Sequence, residues 1–155
     1  MEKLILDTGV KEFEINDNGV LRFNPSDPNV YARFCEVKDR VAEIDNQLQD
    51  RLSRAEDPDM SEEEKTEEAI KACDAVDKEI KSLLSYVFGE ENDFDVLLGG
   101  VSVLAITSTG NMLIEELLAA LSPIVEDGAK NCLKQKASIA VAQAEQNRAQ
   151  RRARK

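Results

Sequence analysis

Apolar residues between Val30 and Phe88 recur in two long series. In the first, Val30, Phe34, Val37, Val41, Ile44, Leu48 and Leu52 follow one another at steps of four and three, with a second four-step at the end. In the other, Ala69, Cys73, Val76, Ile80, Leu83 and Val87 keep the same rhythm. This spacing puts one apolar seam on each of two amphipathic helices, the pattern of coiled-coil and bundle packing. Stop and start signals frame both. Asp27 caps the first helix with Pro28 at its first position, where a missing N–H costs nothing. That helix is expected to run to about Ala55, where Asp57-Pro58-Asp59 ends it. Ser61-Glu62-Glu63-Glu64 is a capping box for the second, which closes at Phe88-Gly89. A short connection between the two implies an antiparallel hairpin.

The first 24 residues alternate with the period of a strand. Leu4-Ile5-Leu6, then Phe13 and Ile15 between Glu12 and Glu14, then Leu21 and Phe23 around Arg22 read as a small antiparallel sheet of two or three strands. Asn18-Gly19 is the hairpin signal. So small a sheet must lean on the helices or on another subunit. Beyond the hairpin, Asp93 to Leu98 predicts a short helix stopped by Gly99-Gly100. Residues Val101 to Ile106 fit either a strand or a helix opening at Ser102, and the helix is preferred. Asn111 to Val125 continues in helical register, with Leu113, Leu117, Leu121 and Ile124 on one side. Pro123 is expected to kink this segment or end its first part at Leu121. The predicted class is therefore mainly α with a small N-terminal β-hairpin (α+β): one domain over 1–127, made of 1–24, 27–55, 61–88 and 92–127, and a tail over 128–155.

Charge separates the tail from the body. Residues 1–127 carry 12 Lys/Arg against 30 Asp/Glu, a net −18, whereas residues 128–155 carry 8 against the single Glu145, a net +7. Such polarity attracts copies head to tail, or anionic partners at one end. From Gln143 onward no apolar face remains, which predicts disorder or a projecting helix. The basic end, Arg148, Arg151, Arg152, Arg154 and Lys155, has no aromatic residue interleaved for base stacking. It reads better as a solubilising or subunit-steering end than as a nucleic-acid arm.

Aromatic residues make up only 5% of the chain and Trp is absent, so an aliphatic core is expected. Three cysteines, Cys35, Cys73 and Cys132, form no CxxC pair, and they read as buried thiols in a reducing compartment. Met1 to Gly9 has no apolar run behind a basic cluster, so no secretory leader is expected. Val96 to Ile114 is uncharged, but its Gly, Ser, Thr and Asn residues argue against a membrane span. With no His in the chain, histidine-based nucleophile systems cannot be built from it. The acidic run Glu62 to Glu68 lacks the Asp-x-Asp-x-Asp-Gly loop of a calcium site, and no phosphate loop follows the glycine pairs. No catalytic residue, metal or cofactor is expected.

The layout resembles the tail assembly chaperones of long-tailed phages and prophages of Gram-positive bacteria. The likeness lies in an opening hairpin leading into Arg22-Phe23-Asn24-Pro25-Ser26-Asp27-Pro28 and in the charged helical hairpin after it. Tyr86-Val87-Phe88-Gly89-Glu90 and Asp95-Val96-Leu97-Leu98-Gly99-Gly100 extend it, as does an apolar helix with Asn111 and Pro123 before a basic end. The resemblance implies a non-enzymatic protein of the host cytoplasm, absent from the mature virion. It would bind the tape-measure protein, help recruit major tail protein and self-associate. Phe94, Leu97, Leu98, Leu117, Leu121 and Ile124 would then form or border the partner surface, the alternative being that these same residues are simply core. A structural virion or head–tail connector component and a nucleic-acid-binding adaptor are the competing classes, though nucleic acid is not the expected partner.

Overall fold

The computed structural model describes residues 1–54 and 57–154. Two strands, β1 (Lys11–Ile15) and β2 (Gly19–Phe23), precede four helices: α1 (Pro28–Arg54), α2 (Glu62–Phe88), α3 (Phe94–Leu97) and α4 (Leu113–Ala153). The fold is mainly helical, with α1 and α2 packed as a hairpin and α4 against α1. The expected end of α1 at Ala55 lies outside the described residues.

The strands pair antiparallel, Lys11 opposite Phe23 and Ile15 opposite Gly19. The turn is three residues long, with Asn16 in the left-handed region, and Asn18-Gly19 leads out of it instead of forming a two-residue turn. Among the described residues no third strand joins: Leu4, Ile5 and Leu6 are exposed and irregular. The segment that follows them is held instead by the Asn24 side chain, whose Nδ2 donates to the Thr8 carbonyl at 2.9 Å.

Asp27 caps α1 as expected. Its carboxylate accepts the Asn29 N–H at 2.9 Å, and its carbonyl accepts that of Val30 at 3.1 Å. The capping box of α2 closes in both directions between Ser61 and Glu64. In α1 the predicted seam is buried from Val30 to Leu48, and only Leu52 at the far end is partly exposed. In α2 the buried arc is rotated and broader than predicted. Ala72, Ile80, Leu84, Val87 and Phe88 are buried, while Ala69, Cys73, Val76 and Leu83 are only half-buried. The cause is that α2 packs against α1 on one side and against α3 on another, so its buried face lies between the two.

The aliphatic core holds along the hairpin, but at its open end, where α1 begins and α2 finishes, all five phenylalanines gather. Phe13 stacks on Phe23, and Phe88 touches Phe23, Phe34 and Phe94, with ring centroids 4.7 to 6.2 Å apart. A residue type that is scarce overall is concentrated where sheet, α1, α2 and α3 meet.

Residues 101–106 are neither helix nor strand, apart from one bridge between Ile106 and Met112. Their carbonyls are needed elsewhere: Val103 and Ala105 accept the Ile114 and Leu113 N–H groups at 2.8 and 2.9 Å. Those are the amides that the start of a helix leaves unpaired. The loop thus caps α4, together with the Glu115 carboxylate on the Met112 N–H.

The helix α4 runs 41 residues without ending at Pro123, which lies inside it. Proline deprives the Ala119 carbonyl of its partner, but Ala119 and Pro123 both lie on the exposed side, where water replaces the lost bond. The boundary drawn between 127 and 128 from charge therefore falls inside one helix. From Leu133 to Arg154 every residue is exposed, so the tail is a projecting helix. No helix of the described residues is long and apolar enough to cross a membrane.

Gly128 fixes where α4 crosses the loop before α1. A Cβ there would stand 1.8 Å from the Pro25 carbonyl oxygen, and Asn131 bonds Ser26 at 3.3 Å one turn on. Glycine costs a helix about 1 kcal/mol relative to alanine, yet the backbone contact leaves no space for a methyl. Gly128→Ala is expected to lose at least about 1 kcal/mol net, because overpacking against backbone costs about 1–3 kcal/mol or more. Urea unfolding checks this, and a variant as stable as the parent would show that the close crossing is not required.

Candidate partner-binding surfaces

Two buried polar clusters position α3 and the loop after it. Asn92 is 3% exposed. Its Oδ1 accepts the Arg22 N–H at 2.9 Å, and its Nδ2 donates to the Arg22 and Phe88 carbonyls, each at 2.9 Å. The Ser85 hydroxyl donates to the Asn92 carbonyl at 2.8 Å. The side-chain amide thus acts as a one-residue strand on β2 and as a cap on α2. From the other side of the turn, Asn18 Nδ2 donates to the Leu97 carbonyl at 3.2 Å, seating the hairpin on α3.

The second cluster centres on Lys81, whose ammonium lies 3.0 Å from Asp77 and 2.7 Å from Asp95. The other Asp77 oxygen accepts the Val103 N–H at 2.8 Å. One buried lysine therefore ties α2 to α3, and one aspartate ties α2 to the loop. Burial alone would push the Lys81 pKa down, but the hydrogen bonds that its ammonium donates to Asp95 and Asp77 outweigh this and hold the pKa above the ordinary lysine value. Asp93 caps α3 through the Asp95 and Val96 amides, and Gly99 and Gly100 end it in left-handed conformations that side chains disfavour.

These clusters decide the fate of the predicted partner residues. Phe94, Leu97, Leu98, Leu117 and Leu121 are all buried in one core cluster, and Ile124 packs half-buried against it. They belong to the interior and not to a surface. Their spacing carried that information: Phe94, Leu97 and Leu98 stand at i, i+3 and i+4, the packing stripe of a single turn. Val96, off that stripe, is 56% exposed, and Val101 and Ile106 on the following loop are 46% and 69% exposed. A capped helical turn thus points its anchors inward and leaves three branched aliphatic residues to solvent.

A second surface lies along α4. Pro28, Tyr31, Ala129, Cys132 and Leu133, with Glu126 and Lys130 beside them, line a mostly apolar groove of about 310 Å³. Arg148, Arg151, Arg152 and Arg154 are exposed at the far end of the helix, and Lys155 lies outside the described residues. The cysteines are not buried as expected: Cys35 is exposed and Cys73 and Cys132 are half-buried, all three free. Cys35 sits one position past the buried Phe34, and Cys132 faces the open groove, so neither helix encloses its thiol.

Among the described residues no three His, Cys, Asp or Glu side chains gather as a metal site would require. Glu116 is held below the usual carboxylate range by hydrogen bonds from Thr109 and Asn111, and it orders the 107–112 turn. Compared with family models, curated proteins and solved structures, the chain shows no match.

Replacing Lys81 leaves Asp77 buried without its cation. Lys81→Met is expected to cost on the order of 3 kcal/mol in chemical denaturation. Because the folded pKa is raised, this stabilisation is complete below the unfolded lysine value of about 10.5 and fades as pH rises through the higher folded value. The parent should therefore lose stability above that range faster than the variant. Parallel pH profiles would argue that the ion pair contributes nothing.

Proposed function

We propose that this protein is a phage tail assembly chaperone, a non-enzymatic cytoplasmic factor that holds the tape-measure protein, helps recruit major tail protein and is left out of the finished virion. The observation that carries the reading is the pairing of a family-like segment with exposed apolar residues. Val-Phe-Gly-Glu to Leu-Gly-Gly, with Phe-Asn-Pro-Ser-Asp one of the two most specific parts of the resemblance, encloses α3, and Val96 within it and Val101 and Ile106 just after it stand in solvent. Isolated surface aliphatics are ordinary, but three on one capped turn and its loop suit a helical client. Phe94, Leu97 and Leu98 anchor the same turn and loop in the core that Leu117, Leu121 and Ile124 complete. The acidic body keeps such a complex soluble.

A second reading is favoured by one observation, the four exposed arginines at the end of α4. A nucleic-acid adaptor would use them as phosphate contacts, and its binding would collapse with salt. A structural virion component would instead be found in the particle.

Co-expression with a tape-measure fragment followed by affinity capture tests the main reading. Val96→Asp with Ile106→Asp should lower capture about tenfold or more, while circular dichroism stays unchanged, since burying each charge costs on the order of a kcal/mol. Undiminished capture by the folded variant, or this chain found in purified particles by mass spectrometry, would contradict the reading.

A further inference from the structure

We propose that the projecting half of α4 pairs antiparallel with the same segment of a second copy of this chain. This goes beyond the tail-assembly reading and does not rest on it. Between Leu133 and Arg154 every residue of α4 is exposed, so this stretch lacks the tertiary packing of an amphipathic face from which most helices in proteins draw their stability. Its outer face nevertheless carries an uninterrupted seam. Leu133, Ala137, Ala140 and Ala144 recur at steps of four, three and four, and the same rhythm extends back through Lys130 to Glu126 and on through Asn147 to Arg151. All of these positions are exposed. Gly128, Val125 and Leu121, which face the body, lie on the opposite side of the helix. The seam is therefore free along its whole length, and it runs into the apolar groove at Tyr31 through Glu126, Lys130 and Leu133.

Charge chooses both the occupant and its direction. Setting Ala137 against Ala140 of an antiparallel copy brings Leu133 opposite Ala144 and Glu126 opposite Arg151. The flanking positions then place Asp127 against Arg148. Two-fold symmetry repeats each pairing at the other end, as an isologous interface requires. A parallel pairing would set Glu126 against Glu126 and Arg151 against Arg151, which like charges oppose. Within one copy the pairing is out of reach: residues 126 and 151 are about 37 Å apart along a straight helix at 1.5 Å per residue. None of Glu126, Asp127, Arg148 and Arg151 makes an ion pair among the described residues. The small residues let two helices approach at the short end of the usual 8–10 Å range. The long arginine stems lie over the apolar groove while their heads reach Glu126.

Sedimentation equilibrium of the full chain tests the pairing with two charge-reversed variants, Glu126→Arg with Asp127→Arg, and Arg148→Glu with Arg151→Glu. The parent is expected to dimerise, and each variant alone to do so at least about tenfold more weakly, because four exposed pairs become four repulsions. Mixed in equal amounts, the two variants should form a heterodimer, since both ends are then complementary again. Circular dichroism reports that each variant retains its helices. A parent monomeric at every concentration, reversals that leave dimerisation intact, or a mixture that fails to associate would each overturn the proposal.

Discussion

Asn92 occupies the junction between a two-stranded sheet and the end of a 27-residue helix, and its side-chain amide meets the hydrogen-bonding needs of both. Two strands alone are marginal in water, and an open edge invites pairing with other chains. Here the outer edge of β2 is closed at Arg22 by a side chain held on the neighbouring turn. Leaving those backbone groups buried and unpaired would cost about 1–3 kcal/mol each. Around this point the five phenylalanines collect, so the sheet is fastened by polar geometry and by apolar burial together.

The Lys81 cluster performs the corresponding task one helical turn and more away. Asp77 and Asp95 bring α3 and the 101–106 loop to the flank of α2, and that loop supplies the carbonyls that start α4. A chain of dependence follows from α2 to α3, to the loop, to the direction in which α4 leaves the body. Gly128 adds the last constraint by letting α4 touch the Pro25 backbone. From Leu133 onward every residue of the helix is exposed, and its charge and its seam face solvent.

Much of this was legible in the sequence because the governing signals are local. Caps at Asp27 and Ser61, the apolar rhythm of α1 and the alternation before Asn24 each identify an element from a few neighbouring residues. What escaped depends on non-local facts. The buried arc of α2 is displaced because two different neighbours press on it. The 101–106 segment forgoes helix because its carbonyls serve α4, and Pro123 is tolerated because its side of the helix is wet. Apolar spacing showed that Phe94, Leu97 and Leu98 pack, and could not show against what. Asn92, one polar residue in an acidic turn, gave no sign in sequence of its burial; it is visible only once β2 lies beside it.

The central claim is that a polar fastening at Asn92, and not strand pairing alone, holds the sheet and α3 to the helical hairpin. Native-state hydrogen exchange of Asn92→Ala, read at individual amides, tests this most directly. The expected result is a selective loss of protection in β1, β2 and α3, by a factor of about ten or more, with the middle of α1 and α2 little changed. Protection lost evenly across all the helices, or retained at Arg22, would contradict it.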